Sequence, residues 1–261
     1  MSNSIDHVFS DKEGLKLMTH IVAGYPDFKR SFEIALTMAE EGADLIEIQI
    51  PFSDPLADGS TIMEANRIAL ENGITPSQCF KLAESLNKKI NIPLLFMTYA
   101  NIPFRMGFEK FVKKSKNCGL SGLIIPDLTF DERVEGYFNY AFRDGVYPIN
   151  VISPDTDEER LEKILAISKG FIYITLRVGI TGAVKRIEGK GINFLKKVKE
   201  KSRFPLAAGF GLSSLSQIKQ LEGLANMAVV GSHIINLYRR SGLPGIKKFL
   251  KEWRYRETSA S

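Results

Sequence analysis

Eight short apolar runs recur along the chain, and the stretches between them have helical length and period. The runs are LKLMTHIV (15–22), LIEIQI (45–50), PLLFMTY (93–99) and GLIIPD (122–127), then YPINVIS (147–153), GFIYITL (170–176), PLAAGFG (205–211) and MAVVGSH (227–233). Between them, FKRSFEIALTMAEEGA closes near Gly42, while DTDEERLEKILAISKG opens on an Asp/Thr cap and closes on Gly170. Strand and helix alternating, with a turn signal at each join, is the pattern of parallel βαβ units. Eight such units in 261 residues fit one (β/α)8 TIM barrel domain spanning residues 1–261 better than a doubly wound open sheet, the alternative on this pattern. The polar stretch before the first run is then an extra N-terminal segment. No linker or low-complexity segment divides the chain.

Composition removes several other classes. Apolar content of 44% and charged content of 25% are ordinary for a soluble globular protein. No apolar run approaches the roughly 20 residues that span a bilayer, and MSNSIDHVFSDKEGLKLM has no signal-peptide core. Cys79 and Cys118 form no metal or redox spacing, and His7, His20 and His233 are too scattered for a zinc cluster. The expectation is a cytoplasmic protein without metal or membrane partner. The net charge of +5 sits in mixed runs such as FEKFVKKSK and INFLKKVKEKSR, on solvated helix faces, with no nucleic-acid motif. It favours anionic metabolites over nucleic acid.

The second run carries a glutamate that folding alone does not ask for. Alternation groups Leu45, Glu47 and Gln49 on one face and Ile46, Ile48 and Ile50 on the other. The isoleucines suit packing against outer helices, so Glu47 points into the barrel. It is either a structural glutamate paired with an inward Lys or Arg, or a reacting group. The loop PFSDPLADGS then presents Asp54 and Asp58 at the strand's C-terminal end, where barrel active sites lie. Asp54, in SDP, reads as turn support. Asp58 can converge with Glu47 across a ligand, one carboxylate in an apolar pocket exchanging protons and the other, better solvated, staying ionised.

Three later loops, RVGITGA, AGFGLSS and VVGSHI, place glycines where backbone N–H groups can approach an anion. The last two run into helix starts, the usual phosphate site of such barrels. They predict a phosphate near Gly182, Gly211, Gly231 and Ser232, on a short helix near the C-terminus.

On AGYPD, PFSDPLADG, MTYANI, IIPDL, GITGA, GFGLSS and VVGSHI, the chain resembles the α subunit of tryptophan synthase over nearly its whole length. The resemblance implies a (β/α)8 barrel that cleaves indole-3-glycerol phosphate to indole and glyceraldehyde 3-phosphate by a retro-aldol reaction. It also implies a β partner, in an α–β–β–α complex, that carries pyridoxal phosphate and receives the indole, with no cofactor in this chain. Residue by residue, Glu47 matches the general acid/base, Asp58 the carboxylate on the indole N–H, and Tyr173 a tyrosine beside the pair. Tyr99 and Phe210 match indole-pocket residues, though either could be plain core packing. Thr181 matches the residue of a closing loop.

The chain also departs from the family's pattern. Gln49 and Ser60 stand where the family usually has glycine and proline, Met63 where glutamine is common, Val22 where threonine is frequent, and Leu176 where serine is common. Two readings follow: an active lyase, or a divergent subunit kept mainly to bind and activate a β partner. Another phosphate-binding barrel, an isomerase or aldolase, lacks support. No strand core offers a convincing Schiff-base lysine, and no metal-ligand cluster appears.

Overall fold

The structure, a computed structural model, describes residues 3–10, 14–56, 58–128, 136–176, 189–209 and 211–258. Each apolar run contains strand: β1 Lys16–Val22, β2 Leu45–Gln49, β3 Leu94–Met97, β4 Gly122–Ile124, β5 Tyr147–Ile149, β6 Val151–Ile152, β7 Ile172–Thr175, β8 Leu206–Gly209 and β9 Met227–Val230. All pairings are parallel, in the order β5-β4-β3-β2-β1-β9-β8-β7-β6. The fifth run supplies both ends of that order, because β5 and β6 are successive segments separated only by Asn150. Nine segments therefore make the eight staves of a (β/α)8 barrel.

The expected alternation holds in β2. Ile46, Ile48 and Ile50 belong to the layer between barrel and helices, whereas Leu45 joins the barrel interior with Met18, Leu95, Met97, Ile124, Ala207 and Met227. Around the wall, helix Phe28–Glu40 buries Ile34, Ala35 and Met38, and helix Glu158–Ile167 buries Leu161 and Ile164. Asp27 and Asp157 cap these two helices, each accepting a backbone N–H at 2.8 Å. Thr156, expected to share the second cap, instead accepts the Ser153 N–H at 3.0 Å. Gly42 and Gly170 follow the helix ends at φ 108° and 67°, where a side chain would strain the backbone.

The N-terminal segment forms a helix, Ser4–Val8, across the end where the strands begin. Asn3 caps it by accepting the Ile5 N–H at 2.9 Å, and its amide donates to the Ser121 and Gly145 carbonyls at 2.8 and 2.9 Å. Ile5 is fully buried in the barrel interior, and Phe9 meets Phe171 with ring centroids 5.9 Å apart. Tyr147 donates its hydroxyl to Asp6 at 2.8 Å.

Near the C-terminus the structure differs in detail from the expected short phosphate helix. A five-residue helix, Leu215–Lys219, follows β8, and a longer one, Ser232–Thr258, begins immediately after β9. The longer helix is broken where Gly242 takes φ 60° ahead of Pro244, whose ring cannot continue a straight helix. Among the described residues, no helix is long and apolar enough to cross a membrane.

Candidate active site

Glu47 lies on the inward face of β2 and is 5% exposed. Parallel register sets it opposite His20 of β1, with His20 Nδ1 3.3 Å from Glu47 Oε1. The partner is thus a histidine and not the inward Lys or Arg of the structural reading. Burial, the largest influence, disfavours a charged imidazole, but the Glu47 carboxylate, Asp58 and the Gln49 amide together hold His20 above its ordinary value.

Asp58 reaches the same space from the loop after β2. It is 4% exposed, so neither carboxylate is the better solvated one that the sequence pattern expected. The loop folds back, with the Asp58 N–H bonded to the Pro55 carbonyl at 2.9 Å, and delivers the carboxylate inside. Gln49 Nε2 donates to Asp58 Oδ2 at 2.6 Å, and Asn66 Nδ2 lies 3.5 Å from the same oxygen. Burial pushes Asp58 up to about 6, against the hydrogen bond from Gln49, the His20 charge and the Tyr99 hydroxyl, while the Glu47 charge adds to the rise.

Asn66 organises this loop from helix Ser60–Glu71. Its Oδ1 accepts the Phe52 N–H at 3.1 Å, and its amide donates to the Ile62 carbonyl at 2.9 Å. Asp54 is exposed and accepts the Ser53 hydroxyl.

A cavity of about 380 Å³ opens at the C-terminal ends of the strands. Glu47, Asp58, Tyr173, Gly211, Gly231 and Ser232 all line it. Tyr173 is held well above the ordinary tyrosine range by burial and then by Glu47 and Asp58, so its hydroxyl keeps its proton. Tyr99 is buried behind the wall, stacked on Phe52 at 5.3 Å and supporting the Asp58 carboxylate. Gly231 O accepts the Ile234 N–H at 2.9 Å, so the helix from Ser232 starts at the cavity's edge. Thr181, Gly182 and Phe210 lie outside the described residues.

The cavity holds residues the sequence reading missed, His20 and Arg160 foremost. His20 had a usable signal, since alternation from the inward Met18 puts it on the same face of β1. Arg160 had none, because it sits in the first turn of an amphipathic helix. Among the departures, Gln49 is bonded to Asp58, and Val22 and Leu176 are buried apolar residues. Ser60 and Met63 are exposed on helix Ser60–Glu71. Among the described residues, no three His, Cys, Asp or Glu side chains are grouped to hold a metal.

The model of the family described as "Tryptophan synthase alpha chain" matches residues 8–252. The tryptophan synthase alpha chain of Syntrophotalea carbinolica is 42% identical over 243 residues, covering 93% of this chain and 96% of that protein. The alpha chain of Methanocaldococcus jannaschii is 42% identical over 220 residues, 84% of this chain and 78% of that protein. Among solved structures, tryptophan synthase of Mycobacterium tuberculosis matches with TM-score 0.87 at 28% identity, covering 95% of this chain and 94% of that one. The α-subunit from Pyrococcus furiosus matches with TM-score 0.83 at 30% identity, covering 91% and 96%. With a family model spanning most of its length and relatives this close, the chain belongs to the tryptophan synthase α-chain family.

Proposed function

We propose that Glu47 and Asp58 are the reacting pair of this chain's lyase chemistry. As a tryptophan synthase α chain, it cleaves indole-3-glycerol phosphate to indole and glyceraldehyde 3-phosphate, and a β subunit takes the indole. The observation that carries the assignment is convergence: both carboxylates, Tyr173 and the glycine-rich helix start meet in one cavity. Glu47 gives a proton to the ring carbon that bears the glycerol chain. The carbon–carbon bond then breaks with its electrons returning to the ring, and the glycerol hydroxyl releases its proton to Glu47. Asp58, ionised above its raised value, accepts the indole N–H and stabilises the cationic ring between these steps. Tyr173 supplies a neutral hydroxyl beside them.

The phosphate belongs at Gly211, Gly231 and Ser232, where glycine backbone lies close to the cavity and the start of helix Ser232–Thr258 favours an anion. Thr181 and Gly182 of the closing loop, and Phe210 at the indole pocket, keep the roles the resemblance implies. Pyridoxal phosphate belongs to the β subunit of an α–β–β–α complex in the cytoplasm, and this chain works without a cofactor of its own. Gln49 favours the active reading over the degenerate one, because its amide is bonded to Asp58 and so forms part of the carboxylate network.

Indole release from indole-3-glycerol phosphate, with and without a β subunit, tests the assignment. Glu47→Gln is expected to abolish turnover while leaving glycerol phosphate binding within a few-fold. Retained turnover would remove Glu47 from the chemistry. A bulky residue at Gly211, which sits at φ 87°, is expected to weaken glycerol phosphate binding, and unchanged affinity would move the phosphate elsewhere.

A further inference from the structure

His20 is buried in the cavity wall, yet the reaction as written above gives it no task. Its Nδ1 faces Glu47 at 3.3 Å across the β1–β2 ladder. Gly231, just past β9, packs beside it, where an added Cβ would lie 3.4 Å from His20 Cβ. The other ring nitrogen, Nε2, is buried without a hydrogen-bond partner, and so is Gln49 Oε1. Gln49 has committed its Nε2 to Asp58 at 2.6 Å, which leaves that oxygen as a buried acceptor. Buried polar atoms are rarely left unmatched, and those that are call for a reason. A doubly protonated imidazole and an amide oxygen are complementary.

We propose that His20 is a positioning residue that shares one proton with Glu47. Its Nε2–H engages Gln49 Oε1, so that Glu47, His20, Gln49 and Asp58 form one hydrogen-bonded chain between the two carboxylates. The inference rests on Glu47 and Asp58 being the reacting pair. The His20–Glu47 pair starts with one proton, on Nδ1 or on the carboxyl group. That proton leaves through Glu47 to the ring carbon, and the pair is left as neutral imidazole and carboxylate. The glycerol hydroxyl proton then returns to the carboxylate and restores the starting state, so protons balance over the cycle. His20 lets Glu47 refill from its neighbour at a pH where an isolated carboxyl group would be empty.

Among the described residues, the titratable groups that act on His20 are Glu47 on β2 and Asp58 on the following loop, and Tyr173 on β7 lines the same cavity. Among the described residues, Val229 of β9 and the following Gly231 add no charge, and Asp155, Asp157 and Arg160 are the other charged groups lining the cavity. His20 lies above its ordinary value with Glu47 as the main favourable cause, which agrees with a shared proton.

The test is kcat and KM for indole-3-glycerol phosphate against pH, with the β subunit present, for wild type, His20→Asn and Glu47→Gln. His20→Asn keeps a donor near Nδ1 but cannot titrate. It is expected to move the alkaline limb of kcat about one pH unit towards acid, about a tenfold loss near the limb, with KM changed by a few-fold at most. An unmoved limb with normal kcat overturns the proposal. ¹⁵N NMR of His20 decides independently of how the variant folds. The wild-type ring should titrate above its ordinary value and fall back in Glu47→Gln; an ordinary titration in the wild type overturns the proposal, even where His20→Asn is inactive at every pH. An active Glu47→Gln would defeat the underlying assignment instead. An inactive Glu47→Gln beside an unaltered His20→Asn would defeat the His20 role alone.

Discussion

Asp58 is a carboxylate kept from water by the fold, and its charge therefore works against folding. Its folded value of about 6 stands above the ordinary 3.8, so the folded state binds the proton more tightly. Stability is lost as pH rises from the lower value through the higher one, and the full loss applies above both. Asp58→Asn keeps the shape and removes the charge. It is expected to be more stable than wild type by up to about 3 kcal/mol above about pH 6, with the gain fading below about pH 4. Urea unfolding at a series of pH values checks this; a gain independent of pH would assign the effect to packing. That Glu47 and Asp58 face one cavity was legible because an acid in an isoleucine strand is costly unless matched, and the loop with Asp58 leaves the same end of that strand. The Gln49–Asp58 bond was not, since it depends on the loop folding back over Pro55, which no period reveals. His20 lay between these cases. Its face was readable from alternation, but its partner emerged only with the register His20↔Glu47.

At the scale of elements, regular periodicity carried the reading and tertiary anchoring escaped it. The strands and the helices Phe28–Glu40 and Glu158–Ile167 announced themselves by apolar spacing and terminal glycines. Helix Ser4–Val8 did not. One turn and a half of helix is marginal in isolation, and this one is held by Asn3 reaching Ser121 and Gly145 and by Ile5 entering the barrel. The interruption of the fifth stave at Asn150 was equally silent, as YPINVIS reads as one apolar run. Ile5→Ala is expected to lower unfolding free energy by about 2–4 kcal/mol, the range for emptying a buried isoleucine site. Turnover of the folded fraction should stay near wild type, because the helix lies at the end of the barrel remote from Glu47. A loss below about 0.5 kcal/mol would mean the helix is dispensable to the core.

At the scale of the molecule, eight repeated units were enough to select a barrel, and the cavity lies at the strands' C-terminal ends, where the barrel rule looks for chemistry. The sequence said less about the surface. Leu56, on the loop that carries Asp58, is 84% exposed, and Phe104, on helix Asn101–Met106 after the neighbouring β3, is 62% exposed. Large apolar side chains left in water beside an active site suit a partner's contact. Replacing both with Asp is expected to weaken association with the β subunit at least about tenfold, roughly 1.4 kcal/mol. Basal indole release should be retained, and titration calorimetry against the β subunit measures the change; unaltered affinity would place the contact elsewhere. Ile5, Phe9 and Phe171 meanwhile stop the opposite end of the barrel. Indole is small, uncharged and readily lost to solvent, and a vessel open at both ends would leak it in two directions. Among the described residues the cavity opens at the strands' C-terminal ends, away from that plug and on the face that carries the Asp58 loop. A plug that serves folding thereby also turns the product towards the face that bears Leu56 and Phe104.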